Sequence, residues 1–524
     1  MLAAARSFAA MGVGRGDAVM LIMRNCPEFV VSYLALSRIG AITAPMNPAA
    51  SPHEVTAAAQ SSGAVGIIAQ ARYLENAAEA CSRETVRFTI VADGPCTGPD
   101  QIPFEKLLCP AAGAPLPEGP ADDDIAALLF TSGVTGQSKA VMLSHRNVIS
   151  NGESCVTVFH CSPEDRCLTV LPMFHVFCWT VCVVMLMLSG GAIVIVESVQ
   201  PFSEVLAACA RHGVTVFIGV PAIFAAVVKT PGLTLEKLGG RVRWALSGAA
   251  PLAVQVQRGF EEKFGIPLIQ GYGLTEASPV VSTNPPHGMR KHGSIGPPIP
   301  NVSVQIRSED GTVLGPGEIG ELVAKGPNVM LGYRNDPEGT AAAFTEDGWL
   351  RTGDLGSIDE DGYIFLVDRA KDLVIVKGLN VYPREVEEVL LEHPSVADAA
   401  VIGVPDERMG EVGCACVVLR PGSYGSLGAT GLRRSILSVR AMYGDPRVAD
   451  PRRPPVVVPT PHPLPHVTPV GTRVTLYEHD GYRGQSFTTD RPIAELHRHG
   501  FNDRASSVEV VGEPWQLCDD ERFG

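Results

Sequence analysis

No CxxC pair and no His/Cys cluster at zinc spacing occurs among the thirteen cysteines of this 524-residue chain. Cys414-Ala415-Cys416 comes closest, so the pattern excludes a zinc module and reads as free buried thiols in a reducing cytoplasm. No basic block offsets a formal net charge of −14, which excludes a nucleic-acid partner. Residues 1–10 carry Arg6 and no sustained apolar core before Arg15 and Asp17, so no secretory signal is expected. Charge is also missing from residues 168–196, long enough to span a bilayer. Pro172, His175 and Gly190-Gly191 cut that stretch into a strand, a helix and a second strand. A transmembrane helix is therefore not expected, while peripheral membrane contact stays open. Finally, no lysine follows Lys377.

What is present fits a globular protein of several domains, with 45% hydrophobic and 19% charged residues. Short apolar or β-branched runs at 18–23, 66–69, 88–92, 192–196, 214–220 and 242–247 read as strands. Helical patterns at 27–38, 203–212 and 254–264 separate them, which predicts an α/β architecture with largely parallel sheets. From 301 to 360 the texture becomes hairpin-like, and a smaller α+β pattern follows 371. The pattern breaks at Ser423. Pro454-Pro455, Pro459, Pro461, Pro463 and Pro465 then predict an extended linker, and a compact all-β pattern runs from Gly471. The expected segments are 1–370, 371–422, 423–470 and 471–524.

The most informative run is Phe130-Thr131-Ser132-Gly133-Val134-Thr135-Gly136-Gln137-Ser138-Lys139-Ala140. It follows the apolar Ile125-Ala126-Ala127-Leu128-Leu129 and precedes an expected helix near Ser144. Glycines let backbone N–H groups face an anion, hydroxyls add donors, and Lys139 adds a point charge, so the run reads as a phosphate cradle. Ser138 before Lys139 rules out a Walker A loop. A polar strand-to-helix turn is the other reading.

Five later stretches keep it company: Leu171-Pro172-Met173-Phe174-His175-Val176-Phe177, Ser247-Gly248-Ala249-Ala250-Pro251, Gly271-Tyr272-Gly273-Leu274-Thr275-Glu276, Arg351-Thr352-Gly353-Asp354 and Asp368-Arg369-Ala370-Lys371-Asp372. In this order they resemble the adenylate-forming superfamily, over roughly Met11 to Gly422. Within it, Met330-Leu331-Gly332-Tyr333 and Asn380-Val381-Tyr382-Pro383-Arg384-Glu385 look like those of bacterial fatty-acyl-CoA ligases. The resemblance implies a large multi-subdomain adenylating domain followed by a small α+β domain. It implies ATP, Mg²⁺ and CoA as cofactor and cosubstrates, and a carboxylic acid as the small-molecule partner.

Roles follow position by position. Thr131, Ser132, Gly133, Thr135, Gly136 and Lys139 would hold the phosphates, with Gly248 and Ala249 beside the nucleotide. Tyr272 would stack on adenine, Asp354 would accept the ribose hydroxyls, and Arg369 would reinforce that end. Thr275 would bond the α-phosphate and Glu276 would hold Mg²⁺, a cation that favours carboxylate oxygen. Phe174, His175, Val176 and Gly273 would line the acyl pocket, Lys371 would lie at the hinge, and Gly378 along the CoA path. His175 as a core histidine and Asp354 as a turn cap are the structural alternatives.

The chain also departs from that pattern. The resemblance implies a lysine late in the small domain that meets the attacked phosphorus, and none is present after Lys377. The small domain reads as cut near Gly422, and the start as short. Val134, Ser138 and Ala140 replace the usual hydroxyl, proline and glycine of the loop. The tail has its own resemblance. Tyr477-Glu478-His479-Asp480-Gly481-Tyr482-Arg483-Gly484, with Asn502-Asp503-Arg504-Ala505-Ser506-Ser507, is similar to one Greek key of a βγ-crystallin domain. There Asn502, Asp503 and Ser507 would offer oxygens to Ca²⁺, and a second unit begins at Trp515. The expected function is an acid–thiol ligase for a fatty or similar apolar acid, slowed in adenylation. The alternatives are a non-catalytic nucleotide-binding remnant with a calcium-responsive module, and a reading frame joining two genes.

Overall fold

The computed structural model describes residues 1–98, 100–109, 116–131, 139–369, 373–376, 379–391, 393, 396–406, 410–419, 473–479, 483–489 and 507–511. It divides into two compact units, Met1–Asp445 and Pro446–Gly524.

The first unit is built on two mostly parallel sheets. In one, the strand order is Gly332–Tyr333, Lys139–Ser144, Ile125–Thr131, Ile42–Pro45, Ala18–Ile22, Ala64–Ala69, Phe88–Val91 and Gln101–Pro103. Pairing is parallel from Ile125–Thr131 onward and antiparallel at the other end. Ala18–Ile22 is buried at every position, as a parallel strand covered on both faces must be. The helix Pro27–Arg38 then follows, and its proline at the start costs no intrahelical bond.

The second sheet runs Val280–Thr283, Leu268–Gly273, Trp244–Ser247, Val216–Gly219, Arg166–Thr169 and Ala192–Ile195, with only the first pair antiparallel. The stretch without charge is divided as its sequence predicts: strand Arg166–Thr169, π-helical Cys178–Val184 running into Met185–Ser189, and strand Ala192–Ile195. Among the described residues no helix is long and apolar enough to cross a membrane. Aromatic rings fill the space around these sheets: Phe159 stacks on Trp244 at 5.0 Å and Tyr33 on Trp179 at 3.8 Å.

Residues 303–369 form a four-stranded antiparallel sheet, Ser303–Arg307, Gly320–Lys325, Leu350–Ile358 and Ile364–Arg369. Beyond it the helix Pro383–Leu391 packs on a long hairpin, Val396–Asp406 with Gly410–Leu419, burying Val386, Leu390 and Val401. The second unit contributes an antiparallel sheet, Arg483–Thr489, Arg473–His479 and Ser507–Val511. The proline-rich stretch 423–470 lies outside the described residues, as do Asn502 and Asp503. Of Ser507, which opens the last strand, only the backbone is described.

Candidate active site

The expected phosphate loop joins two antiparallel strands whose register sets Thr131 opposite Lys139 and Phe130 opposite Ala140. The helix expected near Ser144 is present, but a strand that the sequence reading did not place, Lys139–Ser144, stands between the loop and it. Ala140, Val141 and Leu143 are buried and form a strand, so the helix His145–Phe159 begins six residues after Lys139. Ser144 caps that helix, accepting from the Asn147 N–H while Asn147 Oδ1 accepts from the Ser144 N–H. The helix N-terminus is therefore spent on its own cap, and the loop is the tip of a hairpin. Ser132, Gly133, Thr135 and Gly136 lie outside the described residues. Half-buried Lys139 places its Nζ 3.7 Å from Asp336 Oδ2 and 4.5 Å from the centre of the Tyr333 ring. Asp336 is itself engaged, accepting from the Gly339 N–H at 2.7 Å as the cap of Pro337–Ala342.

Leu268–Gly273 carries Tyr272 and Gly273, and a 3₁₀ turn, Thr275–Ala277, follows at once. Only glycine fits at 273, since a Cβ there would lie 2.1 Å from the Pro279 carbonyl oxygen. Gly273→Ala should cost about 1–3 kcal/mol of stability by overpacking, read from the urea midpoint; an unchanged midpoint would refute the close approach. Two clusters flank this segment. In the first, the Tyr333 hydroxyl donates to Glu276 Oε1 at 2.9 Å, and the Met330 N–H donates to the Glu276 carbonyl at 2.8 Å. In the second, the Tyr272 hydroxyl donates to Asp354 Oδ2, and Arg369 Nε lies 3.5 Å from Asp354 Oδ1.

Burial and the neighbouring carboxylate push both phenols above the ordinary tyrosine range, Tyr272 beside Asp354 and Tyr333 beside Glu276. Both therefore stay protonated donors at neutral pH. Asp354 stands within the strand Leu350–Ile358, paired in register with Arg369, which excludes the turn-cap reading.

Gly248 and Ala249 follow Trp244–Ser247, whose Ser247 pairs in parallel with Gln270 just before Tyr272. A Cβ on Gly248 would come within 2.9 Å of the Phe177 ring, and Ala249 adopts a left-handed φ of +65°. Such a backbone is uncommon for alanine. His175 is open to solvent although the protein around it lowers its pKa by desolvation, and its Nδ1 accepts from the Phe177 N–H at 3.2 Å. Phe174 is half-buried, while Val176 and Phe177 are buried. Phe177 thus joins the expected pocket residues; its signal was the second aromatic of the Phe174–Phe177 run. Tyr333 was likewise missed as a site residue, being remote in sequence from both groups it touches. Lys371 and Gly378 lie outside the described residues. Among the described residues no group of three or more His, Cys, Asp or Glu could hold a metal. A lone carboxylate such as Glu276 suits Mg²⁺, which takes its remaining oxygens from phosphates and water.

Residues 1–334 match the AMP-binding enzyme family, 385–441 its C-terminal domain, and 473–524 the beta/gamma crystallin family. A 4-coumarate–CoA ligase of Oryza sativa subsp. japonica is 37% identical over 80% of this chain and 76% of its own length. A long-chain-fatty-acid–CoA ligase of Bacillus subtilis is 35% identical over 79% of this chain and 78% of its own. The ATP-bound structure of MatB from Rhodopseudomonas palustris superposes with a TM-score of 0.77 at 33% identity, covering 83% of this chain and 84% of that one. Aryl and fatty-acyl ligases both appear among these relatives, so the family is set and the acid is not. With its α/β adenylate-forming fold and its match over residues 1–334, the chain belongs to the AMP-binding enzyme family.

Proposed function

We propose that the protein is an ATP- and Mg²⁺-dependent acid–thiol ligase acting on a fatty or similar apolar carboxylic acid, with CoA as the thiol. The acid's carboxylate attacks the α-phosphorus of ATP, pyrophosphate leaves toward the Thr131–Lys139 hairpin, and a thiol then displaces AMP from the acyl-adenylate. The observation that carries this reading is that Tyr272, on the segment that also bears Glu276, meets Asp354, 82 residues away on another strand, in a hydrogen bond. There Asp354 accepts the ribose hydroxyls, Arg369 neutralises that end, and Tyr272 offers its ring to the base. Thr275 donates to the α-phosphate. Glu276 would hold Mg²⁺, which would shield the phosphate charge. Buried Val176 and Phe177, with Phe174, supply an apolar wall for the acid, and a fatty-acid ligase among the relatives supports that class.

Calorimetric titration with Mg·ATP tests this reading. Binding to the intact chain should weaken about ten- to a hundredfold in Asp354→Ala, the worth of hydrogen bonds to a charged group. An intact protein that takes up no ATP would overturn it. The missing distal lysine favours a second reading, a nucleotide-binding remnant fused to a βγ-crystallin module in which Asn502, Asp503 and Ser507 hold Ca²⁺. It predicts ATP binding without turnover and a Ca²⁺-dependent rise in Tm.

A further inference from the structure

We propose that Tyr333 is a positioning residue of the nucleotide site: its phenol orients the metal-binding carboxylate of Glu276, and its ring face holds Lys139 beside the phosphate hairpin. The inference rests on the nucleotide-site reading above and adds a residue to it.

Three features of the strap that carries Tyr333 support it. First, the strap is fixed to both neighbours by backbone bonds. The Leu331 N–H donates to the Met142 carbonyl at 3.0 Å and the Arg334 N–H to the Ala140 carbonyl at 2.8 Å, which ties Tyr333 to the strand beginning at Lys139. The Met330 N–H donates to the Glu276 carbonyl, which ties the same strap to the turn bearing the carboxylate. Second, the residue before Tyr333 has to be glycine. Gly332 has φ +135°, and a Cβ there would lie 2.6 Å from Thr340 Cγ2. Its absence lets the Thr340 hydroxyl approach and accept from the Tyr333 N–H at 2.8 Å. Third, the side chain makes two different contacts with its two ends: the hydroxyl donates to Glu276 Oε1, and the ring face lies under Lys139 Nζ.

The chemistry explains why an aromatic alcohol suits this place. A phenol donates to a carboxylate oxygen and fixes the carboxylate's plane without contributing charge. Second-shell donors of that kind typically set how well a carboxylate holds a metal. The ring meanwhile offers Lys139 an attraction that adds no negative charge of its own, beside the ion pair with Asp336. Among the described ion pairs, Lys139 meets Asp336 and not Glu276. The cation and the anion that a metal–triphosphate needs are therefore each held without cancelling one another.

The test uses the full chain with Tyr333→Phe and Tyr333→Leu, titrated with ATP at saturating Mg²⁺, at limiting Mg²⁺ and in EDTA. Tyr333→Phe keeps the ring and loses the donor. It should raise the Mg²⁺ concentration required for half-maximal ATP binding about tenfold. Its metal-free ATP affinity should stay within about twofold of the intact protein, because the contact to Lys139 survives. Tyr333→Leu should in addition weaken metal-free ATP binding severalfold. An unchanged Mg²⁺ requirement in Tyr333→Phe overturns the proposal. So does equal weakening with and without Mg²⁺ accompanied by a lowered Tm, the mark of a purely structural residue. Loss of ATP binding already in the intact protein would instead defeat the nucleotide-site reading itself, and is read before either variant.

Discussion

Given ATP, Mg²⁺ and a carboxylic acid, the protein should release pyrophosphate at least about a hundredfold more slowly than it makes thioester from supplied acyl-adenylate and CoA. The two half-reactions differ in charge. Adenylation brings a carboxylate against a triphosphate, so a cation at the attacked phosphorus matters most there. Thiol displacement of AMP needs no such approach of two anions. The resemblance to adenylate-forming enzymes implies a lysine late in the small domain for the first step, and the chain has none after Lys377. Removing one donor aimed at developing charge commonly costs about 10²–10³ in rate, and a full positive charge is worth no less. Stopped-flow pyrophosphate release against thioester formation from synthetic acyl-AMP, on the same preparation, gives the ratio directly. Near-equal rates would show that another cation serves the phosphorus. Loss of both half-reactions would leave the nucleotide-binding remnant as the better description.

Trp244→Ala should be the most damaging single core substitution, costing about 3–5 kcal/mol. Trp244 lies wholly buried in the second sheet, stacked on Phe159 at 5.0 Å with a 24° tilt between rings. It opens the strand that ends at Ser247, next to Gly248, and that strand pairs with the strand of Tyr272, so the packing it supplies supports the element that carries the candidate site. Among the described residues the buried indole Nε1 has no hydrogen-bond partner. Trp244→Phe therefore removes an unsatisfied donor along with some volume, and should cost much less than alanine. Urea unfolding followed by far-UV circular dichroism distinguishes the two. Equal midpoints for Trp244→Ala and the intact chain would contradict the packing.

Most of the large unit was legible because its signals are local. Continuous apolar runs such as Ala18–Ile22, and caps such as the proline opening Pro27–Arg38, depend on a few adjacent residues. The helix expected near Ser144 was legible from its cap, but the strand before it was not. Lys139–Ser144 is a short apolar run whose pairing partner, Ile125–Thr131, lies across the loop, and nothing local marks it as a strand. What could not be read locally is who meets whom. Tyr333 reaches Glu276 across 57 residues and Tyr272 reaches Asp354 across 82, and no periodicity carries that information. The residue types in the Gly-Tyr-Gly-Leu-Thr-Glu run were recoverable from resemblance. Tyr333 was visible as the end of the Met330-Leu331-Gly332-Tyr333 run, with nothing nearby to say what its hydroxyl would touch.

The bond between the Tyr272 hydroxyl and Asp354 changes what nucleotide affinity measures. On the proposed reading, the Tyr272 phenol is an internal O–H donor at the same carboxylate that would accept the ribose hydroxyls. A nucleotide would then share or replace that donor, since a carboxylate can accept several hydrogen bonds at once. Where it replaces the phenol, the heat at that end would be the difference between two similar bonds, and the second ribose hydroxyl, for which a single phenol has no counterpart, would supply the net gain.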